Sequence, residues 1–254
     1  MERIRAFVAL NLPLDVLGEL AEVQKTLRAR ARAVDRRLSW VPAANMHVTL
    51  KFLGDIPVEA SYAIRDRLER ELAGRESFPL SVGGLGVFPD QRRPRVLWAG
   101  VADGGEDGAG ALMQLAADVE GWLDELGFEP DGRGFHAHVT LGRFKRGATA
   151  SDAAGAEFWS EVEAPEQETR AVEIALYKSE LTRSGAEYTA LARYPLVSPD
   201  PPEPDEPDVP DALDEAESRD EPVQLGTTDN DSDSDSDNDS DSDSDNDSDS
   251  DSES

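Results

Sequence analysis

The chain has no cysteine, so neither a disulfide framework nor a thiolate metal site is open to it. It has no apolar run of the eighteen or so residues that a membrane-spanning helix needs. Met1-Glu2-Arg3-Ile4-Arg5 leads into no long apolar core of the kind a signal peptide carries, and a cytoplasmic protein is expected. Positive charge is scarce: 25 Lys and Arg stand against 54 Asp and Glu, a net of −29. That speaks against an extended basic surface for long duplex nucleic acid. The glycines of the 103–110 stretch lack the G-x-x-x-x-G-K-[ST] spacing of a phosphate loop. Histidine is nearly missing too, with three in 254 residues.

The acidity is unevenly spread. Residues 200–254 hold 24 Asp or Glu, one Arg and six hydrophobic residues, and from Asn230 onward alternate an acidic residue, Asp at every place but Glu253, with Ser or Asn. Such a segment cannot bury enough apolar surface to offset its chain entropy. It predicts a folded domain over 1–198 and a disordered acidic tail over 199–254. Without the −23 of the tail, the rest carries about −6, which leaves room for a local anion site.

The folded part alternates strand and helix signals. Strands are expected near 5–12, 46–53, 78–82, 85–88, 95–101, 135–144, 169–178 and 186–194. Helices are expected near 13–32, 57–74 and 112–126, with a weaker one near 151–161. A strand, a helix and a second strand recur in each half, so the order reads as a duplicated α+β unit of two lobes. Antiparallel sheets would line a central cleft, with helices outside.

Two of the three histidines open the same tetrapeptide, His47-Val48-Thr49-Leu50 and His138-Val139-Thr140-Leu141. In a strand, residues two apart share a face. Each copy therefore sets an imidazole and a hydroxyl on one face and Val and Leu on the other. Strict alternation would add Lys51 to the first histidine face and Phe52 to the core. Two imidazoles around one phosphate can divide the work of a proton donor and a proton acceptor near neutral pH. Thr49 and Thr140 can donate to non-bridging phosphate oxygens. Strict alternation puts Arg143 off the His138 face, unless a bulge at Gly142 turns it inward. His136 has no counterpart in the first half, where Asn45 stands in its place, and a supporting role is expected. Trp40, Trp98 and Phe144 could stack on a base, with core packing favoured for Trp98. Arg92, Arg93, Lys145 and Arg146 read as loop or strand-end charges, some of which could meet an extended RNA strand.

These residues resemble the RNA 2′,3′-cyclic phosphodiesterases, or 2′-5′ RNA ligase-like proteins, of the two-histidine (2H) phosphoesterase superfamily. The resemblance rests on Arg5–Ala9, Asn45–Gly54, Arg95–Trp98, Phe135–Arg143, Tyr177–Ser179 and Gly185–Tyr188. It covers about residues 1–197, and the tail has no counterpart in it. It implies the duplicated 2H fold and hydrolysis of a 2′,3′-cyclic phosphate RNA end to a 2′-phosphomonoester. His47 would be the proton donor and His138 the proton acceptor. Thr49, Thr140 and Arg143 would hold the phosphate. The pseudo-symmetric sequence cannot itself choose donor from acceptor. No metal and no cofactor is required, RNA is the expected partner, and a monomer is expected. Alternatives are 2′-5′ ligation, another 2H-type phosphoesterase, or an RNA-end-binding module without turnover. A histidine-based metal hydrolase would lack its third ligand.

Overall fold

The two motif strands pair with each other at the middle of the sheet. The computed structural model describes residues 2–33, 38–104, 110–132, 134–145, 158–182 and 185–199. The first half supplies β1 (Arg3–Asn11), α1 (Leu14–Ala33), β2 (Leu38–Trp40), a 3₁₀ turn at Ala43–Asn45, β3 (Val48–Pro57) and α2 (Val58–Leu72). The second supplies β4 (Pro79–Phe88), β5 (Val96–Asp103), α3 (Ala111–Asp124) and β6 (His138–Phe144). After these come β7 (Gln167–Arg170), β8 (Glu173–Thr182) and β9 (Gly185–Pro195).

Among the described residues the strands form one sheet in the order β7-β4-β5-β6-β3-β1-β8-β9, with β2 added beside β6. The expected two sheets are thus the halves of one path. They join where β3 meets β6, through the single register pair Val48 and Val139. Each is the second residue of its tetrapeptide, so the approximate two-fold relation of the duplication passes between them. On either side the order repeats: β4-β5-β6 answers β8-β1-β3.

One face of the sheet is covered by the helices. Val16, Leu20, Leu27 and Ala31 of α1, Ile64, Leu68 and Leu72 of α2, and Leu112, Leu115, Val119 and Leu123 of α3 are buried in one core. They meet Val48, Leu50, Val139 and Leu141 from the sheet. Each fully buried Leu or Ile contributes roughly 1.5–3 kcal/mol of transfer free energy. The helical spacing of these residues is what makes each helix stick by one stripe. Arg30 and Arg32 in the last turn of α1 suit its negative end.

Several boundaries differ from the sequence reading. The two strands expected around Gly83-Gly84 are one strand, β4, with a register shift between Gly83 and Leu85. Gly84 sits there at φ +61°, in the left-handed region glycine favours. The single strand expected over 169–178 is broken into β7 and β8 at Ala171-Val172. Of the weak helix near 151–161, residues 158–161 form turns, and the rest lies outside the described residues, as does the acidic tail from residue 200. No described helix is long and apolar enough to cross a membrane.

Candidate active site

An antiparallel register through Val48 and Val139 sets His47 across from Thr140 and Thr49 across from His138. Directly opposed residues share a face. All four side chains therefore lie on the face away from the helices, and all four are half-buried. The tertiary fold brings together, from positions 91 residues apart, the pair of imidazoles and the pair of hydroxyls that the tetrapeptides offered singly.

The two rings are held alike. His47 Nδ1 lies 2.9 Å from the carbonyl of Asn45, and His138 Nδ1 lies 2.7 Å from the carbonyl of His136. A carbonyl can only accept, so each Nδ1 carries the hydrogen and each Nε2 is left for chemistry. The Nε2 of His47 is 3.1 Å from Thr49 Oγ1, whose hydroxyl donates to it. His136 thus acts through its backbone, in the place that Asn45 takes in the first half. Its ring lies 6.1 Å from that of Phe88.

Bulges decide the next residues. Along β6, Trp98 of β5 opposes Thr140 while Leu97 opposes Gly142, so Leu141 is an extra residue. Along β3, Ala9 opposes Thr49 while Val8 opposes Lys51, so Leu50 is the matching extra residue. A bulge reverses the alternation after it. Arg143 is exposed, and its positive charge lowers the pKa of both histidines, so it lies within electrostatic reach of both rings. In the first half the same bulge overturns two expectations. Lys51 is buried, donating at 2.7 Å to Glu120 and to the carbonyl of Glu129, and does not reach the histidine face. Phe52, assigned to the core by alternation, is 59% exposed. It occupies in β3 the place that Arg143 occupies in β6.

The flanks of the two histidines differ. His47 stacks on Phe7 at 4.9 Å between ring centroids and meets Tyr188 edge-on at 5.5 Å. Tyr177 stacks on Phe7 at 5.3 Å and lies 6.3 Å from the His47 ring. His138 meets Phe88 edge-on at 5.0 Å, with Trp98 at 6.4 Å. Trp98 is therefore half-buried on the histidine face, and the favoured core reading of it was wrong. The roles of Phe7, Phe88, Tyr177 and Tyr188 around the rings were missed, because aromatics on strands read as core by composition. Trp40 lies 5.5 Å from the Arg28 guanidinium, and Phe144 packs on Phe158 and Trp159.

This packing fixes the electrostatics. Burial pushes the His47 pKa down to about 4, against the pull of its bond to Asn45 and with help from Arg143 and His138. Burial also lowers His138, opposed by its bond to His136 and joined by Arg143. Both rings are thus pushed toward the neutral form in the free protein. Among the described residues no group of three or more His, Asp or Glu is placed to hold a metal ion.

Comparison with known proteins identifies the family. The pattern of the LigT like Phosphoesterase family matches residues 12–98 and 105–188, more than half of the chain. The chain belongs to that family, the LigT-like branch of the 2H phosphoesterases. The RNA 2′,3′-cyclic phosphodiesterase of Methanothermobacter thermautotrophicus is 34% identical over 188 residues, 74% of this chain and 96% of that one. The RNA 2′,3′-cyclic phosphodiesterase of Aquifex aeolicus is 34% identical over 197 residues, 76% of this chain and 98% of that one. Among solved structures, TT0787 of Thermus thermophilus superposes with a TM-score of 0.58 at 28% identity, covering 76% of this chain and 98% of that one. E. coli LigT complexed with 3′-AMP gives 0.53 at 27% identity, covering 77% and 99%.

Proposed function

We propose that this phosphoesterase hydrolyses RNA 2′,3′-cyclic phosphate ends to 2′-phosphomonoesters by two-histidine acid–base catalysis. The observation that carries the reading is the Val48–Val139 pair, because that one contact puts both imidazoles and both hydroxyls on a common face. The relatives named RNA 2′,3′-cyclic phosphodiesterases supply the substrate class.

The step balances without a cofactor. His138 takes a proton from water as its oxygen attacks phosphorus, and the bond from phosphorus to the 3′ oxygen breaks. His47 gives a proton to that leaving oxygen. The products are a 2′-phosphate and a 3′-hydroxyl, with the proton now on His138, and solvent exchange restores the starting state. Thr49, Thr140 and Arg143 hold the non-bridging oxygens, where charge accumulates in the transition state. All five side chains come from one chain, so a monomer suffices.

The donor and acceptor order is that of the family resemblance. It requires the bound phosphodiester to raise His47 from about 4 toward the working pH. An anion beside an imidazole acts in that direction, by favouring the charged ring. The deciding experiment is product analysis on RNA bearing a 2′,3′-cyclic phosphate. A 2′-phosphate end is expected, and a 3′-phosphate or an unchanged end would overturn the reading.

A further inference from the structure

The row of residues that starts at the histidines continues outward across the second half of the sheet. Thr140 lies opposite Trp98, and Trp98 lies opposite Gly86. All three share the histidine face. At the outer end of this row, on the order of 10 Å from β6 at the usual strand spacing, is a cavity of about 650 Å³. Leu85, Gly86, Val87, Trp98, Trp159 and Arg92 line it. That volume lies in the usual range for small-molecule sites.

The cavity is built rather than incidental. Trp98 lies flat against β4: a Cβ on Gly86 would come within 2.2 Å of its ring, so only glycine leaves room for it. The indole N–H of Trp98 is buried without an acceptor among the described residues. The Arg92 side chain is exposed at the rim, and among the described residues no carboxylate pairs with its guanidinium. Asp90, also at the rim, spends one oxygen on the backbone N–H groups of Arg92 and Arg93, at 2.8 and 2.9 Å.

The first half offers no equivalent. There the position of Trp98 is taken by Ala9, and the flank of His47 is filled by Phe7, Tyr177 and Tyr188. Two of its cations, Lys178 and Arg193, are paired with Glu180 and Glu173. The flank of His47 is filled by packed rings, whereas the flank of His138 continues into the cavity.

We propose that this cavity is the subsite for the nucleotide on the 5′ side of the one bearing the cyclic phosphate, with its base against Trp98 and its backbone phosphate at Arg92. The proposal rests on the RNA reading given above. Stacking on indole tolerates every base, so the subsite would select for chain length rather than sequence.

The test compares adenosine 2′,3′-cyclic phosphate with a short oligoadenylate ending in the same cyclic phosphate, using the full chain and its Arg92→Gln and Arg92→Glu variants. The wild type is expected to show a KM for the oligonucleotide about tenfold below that for the mononucleotide. R92Q should raise the oligonucleotide KM several-fold and R92E more, with mononucleotide kinetics unchanged. The dependence of log kcat/KM on log salt should weaken by about 0.7 for the oligonucleotide, the slope of one phosphate contact on a single strand. Equal KM values in the wild type, an unchanged oligonucleotide KM in R92E, or equal losses on both substrates would overturn the subsite and leave the RNA reading intact. A wild type that turns over neither substrate overturns both.

Discussion

Gln24 on α1 donates its side-chain amide to the carbonyl of Leu141, 2.9 Å away and 117 residues further along the chain. The same nitrogen donates to Val41 at 2.7 Å, and the side chain is buried. Leu141 is the extra residue of the β6 bulge, so a helix of the first half braces the kink that turns Arg143 toward the histidines. The relation is mirrored: Glu120 on α3, in the second half, braces the β3 bulge through Lys51. Gln24→Leu should cost about 1–3 kcal/mol in denaturant unfolding, the range for stranding a buried polar partner. Its pH–rate profile should also move toward that of Arg143→Gln. A stability loss with an unmoved profile would show that Gln24 supports the fold but not the position of Arg143.

Removing either imidazole should remove most of the rate. His47→Ala and His138→Ala are each expected to lower kcat by roughly 10²–10⁴-fold. The double variant should be little worse than the poorer single one, since the two rings act as a unit. Wild-type turnover in either single variant would end the two-histidine mechanism.

The donor can be identified chemically. A cyclic phosphate with bridging sulfur at the 3′ position has a leaving group that needs no proton. His47→Ala should recover much of its lost rate on that substrate, and His138→Ala should not. Recovery by His138→Ala instead would invert the assignment, a result the low pKa of His47 in the free protein makes worth seeking.

The lowered histidine pKa values set the pH dependence of kcat/KM. The free enzyme must hold one ring neutral and one protonated, and both pKa values lie below 6.5. The profile of kcat/KM should therefore be a bell centred on the acid side of 6.5. That of kcat should lie higher, because the bound anion favours the protonated ring. Arg143→Gln removes a positive charge that lowers both rings, so its kcat/KM profile should shift to higher pH. A shift to lower pH would contradict the placement of Arg143 beside the histidines.

Stability should follow the same groups with a definite sign. His47 is near 6.5 in the unfolded chain and about 4 in the folded one, so the unfolded chain binds the proton more readily. Its contribution is complete above pH 6.5 and is lost as pH falls from 6.5 toward 4. The loss amounts to roughly 3–3.5 kcal/mol at most, at 1.36 kcal/mol per pKa unit. Urea unfolding of the wild type and of His47→Phe at several pH values measures it. The variant should show a shallower fall over that range, and parallel curves would refute the burial argument.

The duplicated tetrapeptide was enough to put each histidine on one face with its threonine, because a period of two admits only one set of shared-face residues within a short strand. It also made a common site an expectation, since matching positions in a duplicated pattern become neighbours when the halves close. The helices α1, α2 and α3 were legible from their apolar spacing, which solvent alone enforces. Local period failed where the backbone departs from it. One extra residue at Leu50 and another at Leu141 sent Lys51 inward, Phe52 outward and Arg143 toward the site. Only pairing with β1 and β5, and the carbonyl held by Gln24, decides where those bulges fall. The unequal flanks of the two rings were likewise settled in three dimensions. Phe7, Tyr177 and Tyr188 close on His47, while Trp98 on Gly86 leaves the His138 side open. Those contacts join residues far apart in the chain, and no local pattern records them. The sequence by itself determined which side chains could do the chemistry. The tertiary structure decided that they share one face, how deeply each is buried, and which side of the pair is left open.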